Sequence, residues 1–250
     1  TRNNHNYDPM ISFLYSCKEG EKVVDEIKLF VDEKRKNVKG ATYMVSCNYS
    51  SYTLDKVILD KPRYDLNLEA HYNDDFLPYH NLISQAITEN KTGLILLHGK
   101  PGTGKTTYLN NLIHQTNRNV IYLTSETASA LTNPELLNDL ISKKGSVLVI
   151  EDADEVIMDR TKSVVANVTS ALLNITDGIL SQLLSMTVIC TFNTDILKID
   201  PALIRKGRLI CRYEFNELSK EKTEAIVGKA VKHGLTLTDA INYESESFEQ

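Results

Sequence analysis

Eight consecutive residues, Gly99-Lys100-Pro101-Gly102-Thr103-Gly104-Lys105-Thr106, have the types and spacing of a phosphate-binding loop. Glycines let the backbone curl tightly and turn successive N–H groups inward, where they and the N-terminus of the next helix hold phosphate oxygens. Lys105 supplies one ammonium charge near the β- and γ-phosphates of a nucleotide, and the Thr106 hydroxyl is a hard oxygen ligand suited to Mg²⁺. Together with Thr107, these residues are the candidate nucleotide contacts. Leu94-Ile95-Leu96-Leu97 ahead of the loop reads as a buried strand, and residues 107–113 behind it read as a helix with apolar residues at helical spacing. That context argues against the bland alternative, a glycine turn before an ordinary helix.

Val147-Leu148-Val149-Ile150-Glu151-Asp152 carries the second signal, an apolar strand delivering two carboxylates at its C-terminal end. In an α/β sheet that end is where ligands bind. Glu151 is the candidate metal ligand beside Thr106, and Asp152 the candidate base that orients or deprotonates the attacking water. Two acids after a strand are usually a solvated strand end, and the phosphate-binding loop upstream is what lifts this pair above that reading. Asp154 either caps the segment that follows or helps orient the site.

Such a site needs a parallel sheet behind it, and the chain has the alternation to build one. After 94–97, strand-like runs occur at 119–124, 146–151, 186–192 and 209–215. Helical patterns occur at 134–142 and 163–176, the latter ending at Asp177-Gly178. The expected fold is an α/β P-loop domain, a parallel five-stranded sheet covered by helices on both faces. A short helical pattern at 219–231 and an acidic end follow. Upstream, Val23, Val24, Ile27, Phe30 and Val31 recur at helical spacing, and Asn37 and Gly40 would end that helix. Two strand-like runs, 42–49 and 52–59, come next, then a polar stretch over 61–75. The expected organisation is an N-terminal adaptor-like α+β region over 1–70, a core over 71–216 and a short helical lid and tail over 217–250. Eight of the 12 tyrosines fall in the first 80 residues, fitting either a recognition surface or a small half-buried sheet.

Bulk properties narrow the class. The 250 residues suffice for one large domain or a core with an appendage, and the net charge of −5 argues against a protein that coats nucleic acid. No apolar run approaches a membrane span, and no secretory signal is visible. Cys17, Cys47, Cys190 and Cys211 lie far apart without metal-ligand spacing, so reduced thiols in a cytoplasmic protein are expected, with Cys190 and Cys211 in the core.

Five motifs in order resemble an AAA ATPase: the phosphate loop (Walker A), the strand ending Glu151-Asp152-Ala153-Asp154, Leu172-Leu173-Asn174 with Asp177-Gly178, Thr191-Phe192-Asn193, and the run from Asp200-Pro201 through Arg205-Lys206-Gly207-Arg208. The likeness covers about residues 70–232 and is strongest to the branch of the mitochondrial Rieske-protein translocase, whose members also carry Glu-Asp where most AAA proteins have Asp-Glu. It implies an ATP- and Mg²⁺-dependent enzyme assembled as a ring, a hexamer or heptamer, that remodels a macromolecular partner. It also implies roles. Asn193 corresponds to the sensor that positions the hydrolytic water, although before Thr194-Asp195 it also suits a plain turn. Arg205 and Arg208 correspond to arginine fingers that reach a neighbouring subunit's site, with the choice between them open. Arg160 aligns loosely with another inter-subunit basic position and equally suits an ordinary surface. Residues 73–77 correspond to the segment that contacts adenine through its backbone.

The departures from that pattern also carry expectations. The Glu-Asp order shortens the base by one methylene, which slows hydrolysis if the water is no longer in line. Residues 125–131 lack the aromatic–hydrophobic–glycine loop of threading unfoldases, and they lack the basic residues of a DNA loader. The rival reading is a nucleotide-switched scaffold that binds ATP and hydrolyses little.

Overall fold

The computed structural model describes residues 18–36, 40–48, 51–60, 66–157, 166–193, 197, 199–229 and 231–246. Two compact units divide at Val38/Lys39. In the first, the described element is helix α1 (Lys18–Lys36), with Glu19 and Glu21 in its first turn, where the helix dipole favours acids.

The second unit opens with strands β1 (Thr42–Asn48) and β2 (Ser51–Val57), then helices α2 (Leu68–His71) and α3 (Leu77–Thr88). Strand β3 (Gly93–Gly99) and helix α4 (Lys105–Gln115) flank the glycine-rich loop, followed by β4 (Val120–Leu123), α5 (Pro134–Ser142) and β5 (Val147–Ile150). Next come α6 (Asp154–Ile157), α7 (Ala166–Thr176), α8 (Ile179–Leu184), β6 (Thr187–Phe192) and β7 (Leu209–Phe215). The last two helices are α9 (Lys220–Val227) and α10 (Leu237–Glu246).

All seven strands form one sheet in the order β2-β1-β4-β5-β6-β3-β7. Its parallel five-stranded core, β4-β5-β6-β3-β7, is the sheet expected from the sequence. The strand count is corrected from five to seven. β1 pairs parallel with β4 (Thr42↔Val120 to Met44↔Tyr122), and β2 pairs antiparallel with β1. Local pattern revealed both runs as strands but could not reveal a partner 78 positions downstream, where Ala41 N–H donates to Asn119 Oδ1 at 3.0 Å. Gly40 makes the junction possible, because a Cβ there would collide with the Arg118 carbonyl.

The period of two along β3 divides the core. Leu94 and Leu96 join one apolar cluster with Leu136, Leu140, Leu172 and Ile175 from α5 and α7. Ile95 and Leu97 face the other cluster with Phe76, Ile83, Tyr108, Leu112 and, from α10, Leu237 and Ala240. At the N-terminal end of the strands the Arg118 guanidinium donates to the carbonyls of Ile87, Gly145 and Ser146 and to Thr187 Oγ1. The expected helix over 219–231 is shorter. Ser219 Oγ caps α9 by accepting from Lys222 N–H at 3.2 Å, and Gly228 in the left-handed region ends it. Cys190 and Cys211 are buried, and burial pushes each thiol up to about 12.

Candidate nucleotide site

The glycine-rich loop starts where β3 ends and closes onto the N-terminus of α4. Gly104 is the N-cap of that helix with φ +92, a left-handed conformation that glycine adopts without strain. Space also requires glycine there, since a Cβ would stand 2.7 Å from Leu237 Cδ2. Tyr72 Oη donates to the Gly104 carbonyl at 2.8 Å, and Thr103 Oγ1 donates to the Lys100 carbonyl at 2.8 Å. Lys105 is only 7% exposed. Its Nζ donates to the carbonyls of Gly99 at 2.7 Å and Lys100 at 2.9 Å. Burial lowers its pKa, and the carboxylates of Asp152 and Asp154 work against that shift.

A cleft of about 440 Å³ opens beside this loop, lined by Pro101, Gly102, Gly104 to Thr107, Asp152, Asn193 and Thr238. The strand ends that deliver the polar groups are locked together. Glu151 N–H donates to the Leu123 carbonyl at 3.3 Å, and Ala153 N–H donates to the Thr191 carbonyl at 2.8 Å. His98 stacks on Phe192 with 5.2 Å between ring centroids, so the residues that follow them, Gly99 and Asn193, leave the sheet side by side.

Asp152 has φ +48, the left-handed region that aspartate and asparagine enter more readily than other non-glycine residues and that recurs at functional sites. Its Oδ1 accepts from Asn193 Nδ2 at 3.4 Å. Both Asp154 carboxylate oxygens accept from Asn193 N–H, at 3.0 and 3.2 Å. Of the two roles open to Asp154 from the sequence, this contact matches orientation of the site. Three residues thus form one polar cluster, with the Asp154 carboxylate fixing the backbone that carries the Asn193 amide.

Glu151 lies on the other side of Thr106. Both border a second cavity of about 430 Å³ that runs between α4 and the β1–β2 hairpin. The Tyr122 hydroxyl donates to Glu151 Oε2, while Glu151 Oε1 is buried with no hydrogen-bond partner. Burial, together with the adjoining Glu151 and Asp152, pushes the Tyr122 phenol pKa up.

Of the sequence-derived residues, Lys105, Thr106, Thr107, Asp152 and Asn193 share the cleft with the loop glycines. Lys100 points away and pairs with Glu217 at 3.1 Å. Arg205 and Arg208 lie in the turn before β7 and do not line the cleft. Arg208 pairs with Asp177 at 2.8 Å and donates to the Ala202 carbonyl at 2.9 Å, whereas the Arg205 side chain is exposed. Arg160 and Cys17 lie outside the described residues. At residue 73 the side chain is tied to the segment that leads into α9: its Oδ1 accepts from Ser219 N–H at 2.8 Å and its Nδ2 donates to the Glu217 carbonyl at 3.0 Å.

Three contacts escaped the sequence reading. Thr238 reaches the loop, its N–H donating to the Gly102 carbonyl at 3.0 Å from the first turn of α10. Its signal was present as Thr236-x-x-Asp239, a capping pair in which Asp239 N–H donates to Thr236 Oγ1 at 3.2 Å ahead of Leu237, Ala240 and Ile241. Tyr72 and Tyr122 left no local signal, because each partner lies about thirty residues away on another element.

Known proteins resemble this chain over the segment that carries the cleft. Residues 95–217 match the family described as "ATPase family associated with various cellular activities (AAA)". The chain is 30% identical over 154 residues to "Probable mitochondrial chaperone bcs1" of Schizosaccharomyces pombe, covering 59% of this chain and 33% of that protein. It is 28% identical over 181 residues to "26S proteasome regulatory subunit 6B homolog" of Dictyostelium discoideum, covering 67% and 44%. An Arabidopsis thaliana AAA-ATPase is 31% identical over 144 residues, covering 50% and 30%. The chain therefore spans less than half the length of these curated relatives. A phosphate loop between β3 and α4, acids at the end of β5 and Asn193 at the end of β6 form the centre of the matched segment, which is an AAA family domain.

Proposed function

We propose that this protein is a Mg²⁺-dependent ATPase that assembles as a ring, hexameric or heptameric, and couples hydrolysis to remodelling of a protein partner. The observation that carries the reading is the grouping of Lys105, Thr106, Asp152 and Asn193 around one cleft, with Asn193 Nδ2 3.4 Å from the Asp152 carboxylate. An amide and a carboxylate so placed can both contact one water lying beside them, the amide donating and the carboxylate accepting its proton as it attacks the γ-phosphorus. Lys105 and the inward backbone N–H groups hold the phosphates in line.

Mg²⁺ fits the donors present. Glu151 Oε1 is a buried carboxylate oxygen without a partner, and the Thr106 hydroxyl borders the same cavity. Among the described residues, no cluster of three or more His, Cys, Asp or Glu could hold a metal unaided. Two hard oxygens completed by nucleotide phosphates suit Mg²⁺, which when bound would neutralise charge on the β- and γ-phosphates. The acidic net charge favours a protein partner over nucleic acid. Among the described residues no helix is long and apolar enough to cross a membrane; a cytoplasmic setting belongs to the same proposal and rests on the free, buried thiols of Cys190 and Cys211.

One observation favours the rival scaffold. The segment after β4 does not project. Thr124 and Thr127 bond each other's backbone and hydroxyl groups, and Ala128, Ala130 and Leu131 are buried in a 3₁₀ turn (Thr127–Thr132) against the core. A packed, aromatic-free segment offers no ring with which to grip an extended chain. Asp152→Asn separates the two readings. Asparagine keeps the left-handed preference and the shape while removing the base. ATP binding is expected to stay near normal while turnover falls by about 10²–10⁴-fold. Equal steady-state phosphate release by the variant and the parent protein would overturn the ATPase and leave the scaffold.

A further inference from the structure

The Tyr122–Glu151 contact is used by none of the chemistry above. Tyr122 lies on β4 and Glu151 just past the end of β5, and the register Tyr122↔Val149 and Leu123↔Ile150 carries both side chains to the α4 side of the sheet. Glu151 has two carboxylate oxygens with different fates. Oε2 accepts from the phenol, and Oε1 is buried with no partner, in a residue that borders the same cavity as Thr106. A buried carboxylate oxygen left unpaired is costly, and a cation at that position removes the cost. A carboxylate free to rotate could relieve it alone, by turning Oε1 toward water or toward the loop's own N–H groups. The phenol blocks that escape, since rotation would break its hydrogen bond.

Resting on the proposed role of Glu151 toward the metal, we infer that Tyr122 is a positioning residue. It clamps Glu151 through Oε2 so that Oε1 stays presented beside the Thr106 hydroxyl, ready for a divalent cation arriving with the nucleotide. Outer partners of this kind typically change metal affinity by about 10–100-fold when removed. The clamp is built from the strand that the β1–β2 hairpin covers, because β1 pairs with β4 at Met44↔Tyr122. The hairpin thereby converts what would be an edge position into a held one.

Tyr122→Phe keeps the ring and its packing and deletes one hydroxyl. Mn²⁺ binding to the protein–ADP complex, followed by electron paramagnetic resonance, is expected to weaken by about 10-fold or more. ADP affinity measured in EDTA should be unchanged, and that measurement also reports that the variant is folded. A general structural defect would move both quantities together. Glu151→Gln serves as the second arm. If Glu151→Gln weakens Mn²⁺ binding and Tyr122→Phe does not, the clamp is wrong while the metal role of Glu151 stands. If Glu151→Gln binds Mn²⁺ as the parent protein does, the metal role itself falls, and the clamp falls with it.

Discussion

Lys105→Ala is expected to weaken ATP binding by about 10²–10³-fold while leaving the fold intact. The ammonium is the charge that the loop places at the phosphates, and a hydrogen bond to a charged group contributes about 1.5–3 kcal/mol. Contacts to two phosphates would convert to about 10²–10⁴-fold in Kd. The gain is not complete, because Nζ already donates to the carbonyls of Gly99 and Lys100 and must share or leave them when a nucleotide enters. That exchange moves the expected loss to the lower half of the range. The fold survives for two reasons. Alanine is the best helix former at the first position of α4, and Lys105 itself lines the cleft, so water entering the space it leaves can replace the lost donor. The chain contains no tryptophan, so the measurement needs calorimetry or a labelled nucleotide, with circular dichroism as the check on folding. A Kd within two-fold of the parent value would remove the phosphate loop from the binding account.

What was legible in the sequence follows from how local each signal is. Gly99 to Thr107 could be read because the motif, its strand and its helix are contiguous, and because Gly104 must adopt a left-handed φ where Leu237 and Tyr72 leave no room for a Cβ. The acids after β5 could be placed in the same way, since an apolar run ending in carboxylates fixes which end of the sheet they occupy. Partners across strands were not legible. The pairing of β1 with β4 depends on Gly40 admitting the Arg118 carbonyl, and periodicity carries no information about that approach. The same blindness hid Tyr122, whose alternation marks a half-buried strand residue whether or not a carboxylate stands opposite. The contact of α10 with the loop was missed through an unread capping pair, not through distance alone.

We propose that the left-handed backbone at Asp152 offsets the Glu-Asp order. An aspartate is shorter than a glutamate by one methylene, and taken alone it would hold a water farther from the phosphate. The left-handed φ at Asp152 changes the direction in which its carboxylate leaves the chain, and Asn193 meets it at 3.4 Å. In this reading backbone geometry compensates for side-chain length, and the bonds from Asp152 N–H to Thr191 Oγ1 and from Ala153 N–H to the Thr191 carbonyl help to hold the conformation.

The two arginines should separate in their effects, with Arg205 acting on turnover and Arg208 on stability. Both lie in the turn closed by Arg208 N–H donating to the Arg205 carbonyl at 3.2 Å. Arg208 is spent within its own subunit, on Asp177 at 2.8 Å and the Ala202 carbonyl at 2.9 Å. Arg205 extends into solvent with its planar donor fork uncommitted. If protomers assemble so that this turn faces a neighbour's cleft, Arg205 is the group able to spread charge over the transferring phosphoryl oxygens. Arg205→Ala is then expected to lower turnover by about 10³–10⁵-fold, with unchanged nucleotide affinity of the same protomer and an unchanged melting temperature. Arg208→Ala removes one half-exposed ion pair and one hydrogen bond, together about 1 kcal/mol, and should lower Tm by about 2–4 °C. Its loss of turnover should be smaller and should follow from loosening of the turn that aims Arg205. A monomer holds nucleotide with its own Lys105 and Thr106 but lacks the neighbour's guanidinium, so specific activity should rise with protein concentration. Mixing Arg205→Ala with Asp152→Asn protein should restore part of the activity, because some interfaces then pair an intact Asp152 with an intact Arg205. Full turnover by Arg205→Ala in the assembled protein, or activity independent of concentration down to a proven monomer, would sink the trans arrangement.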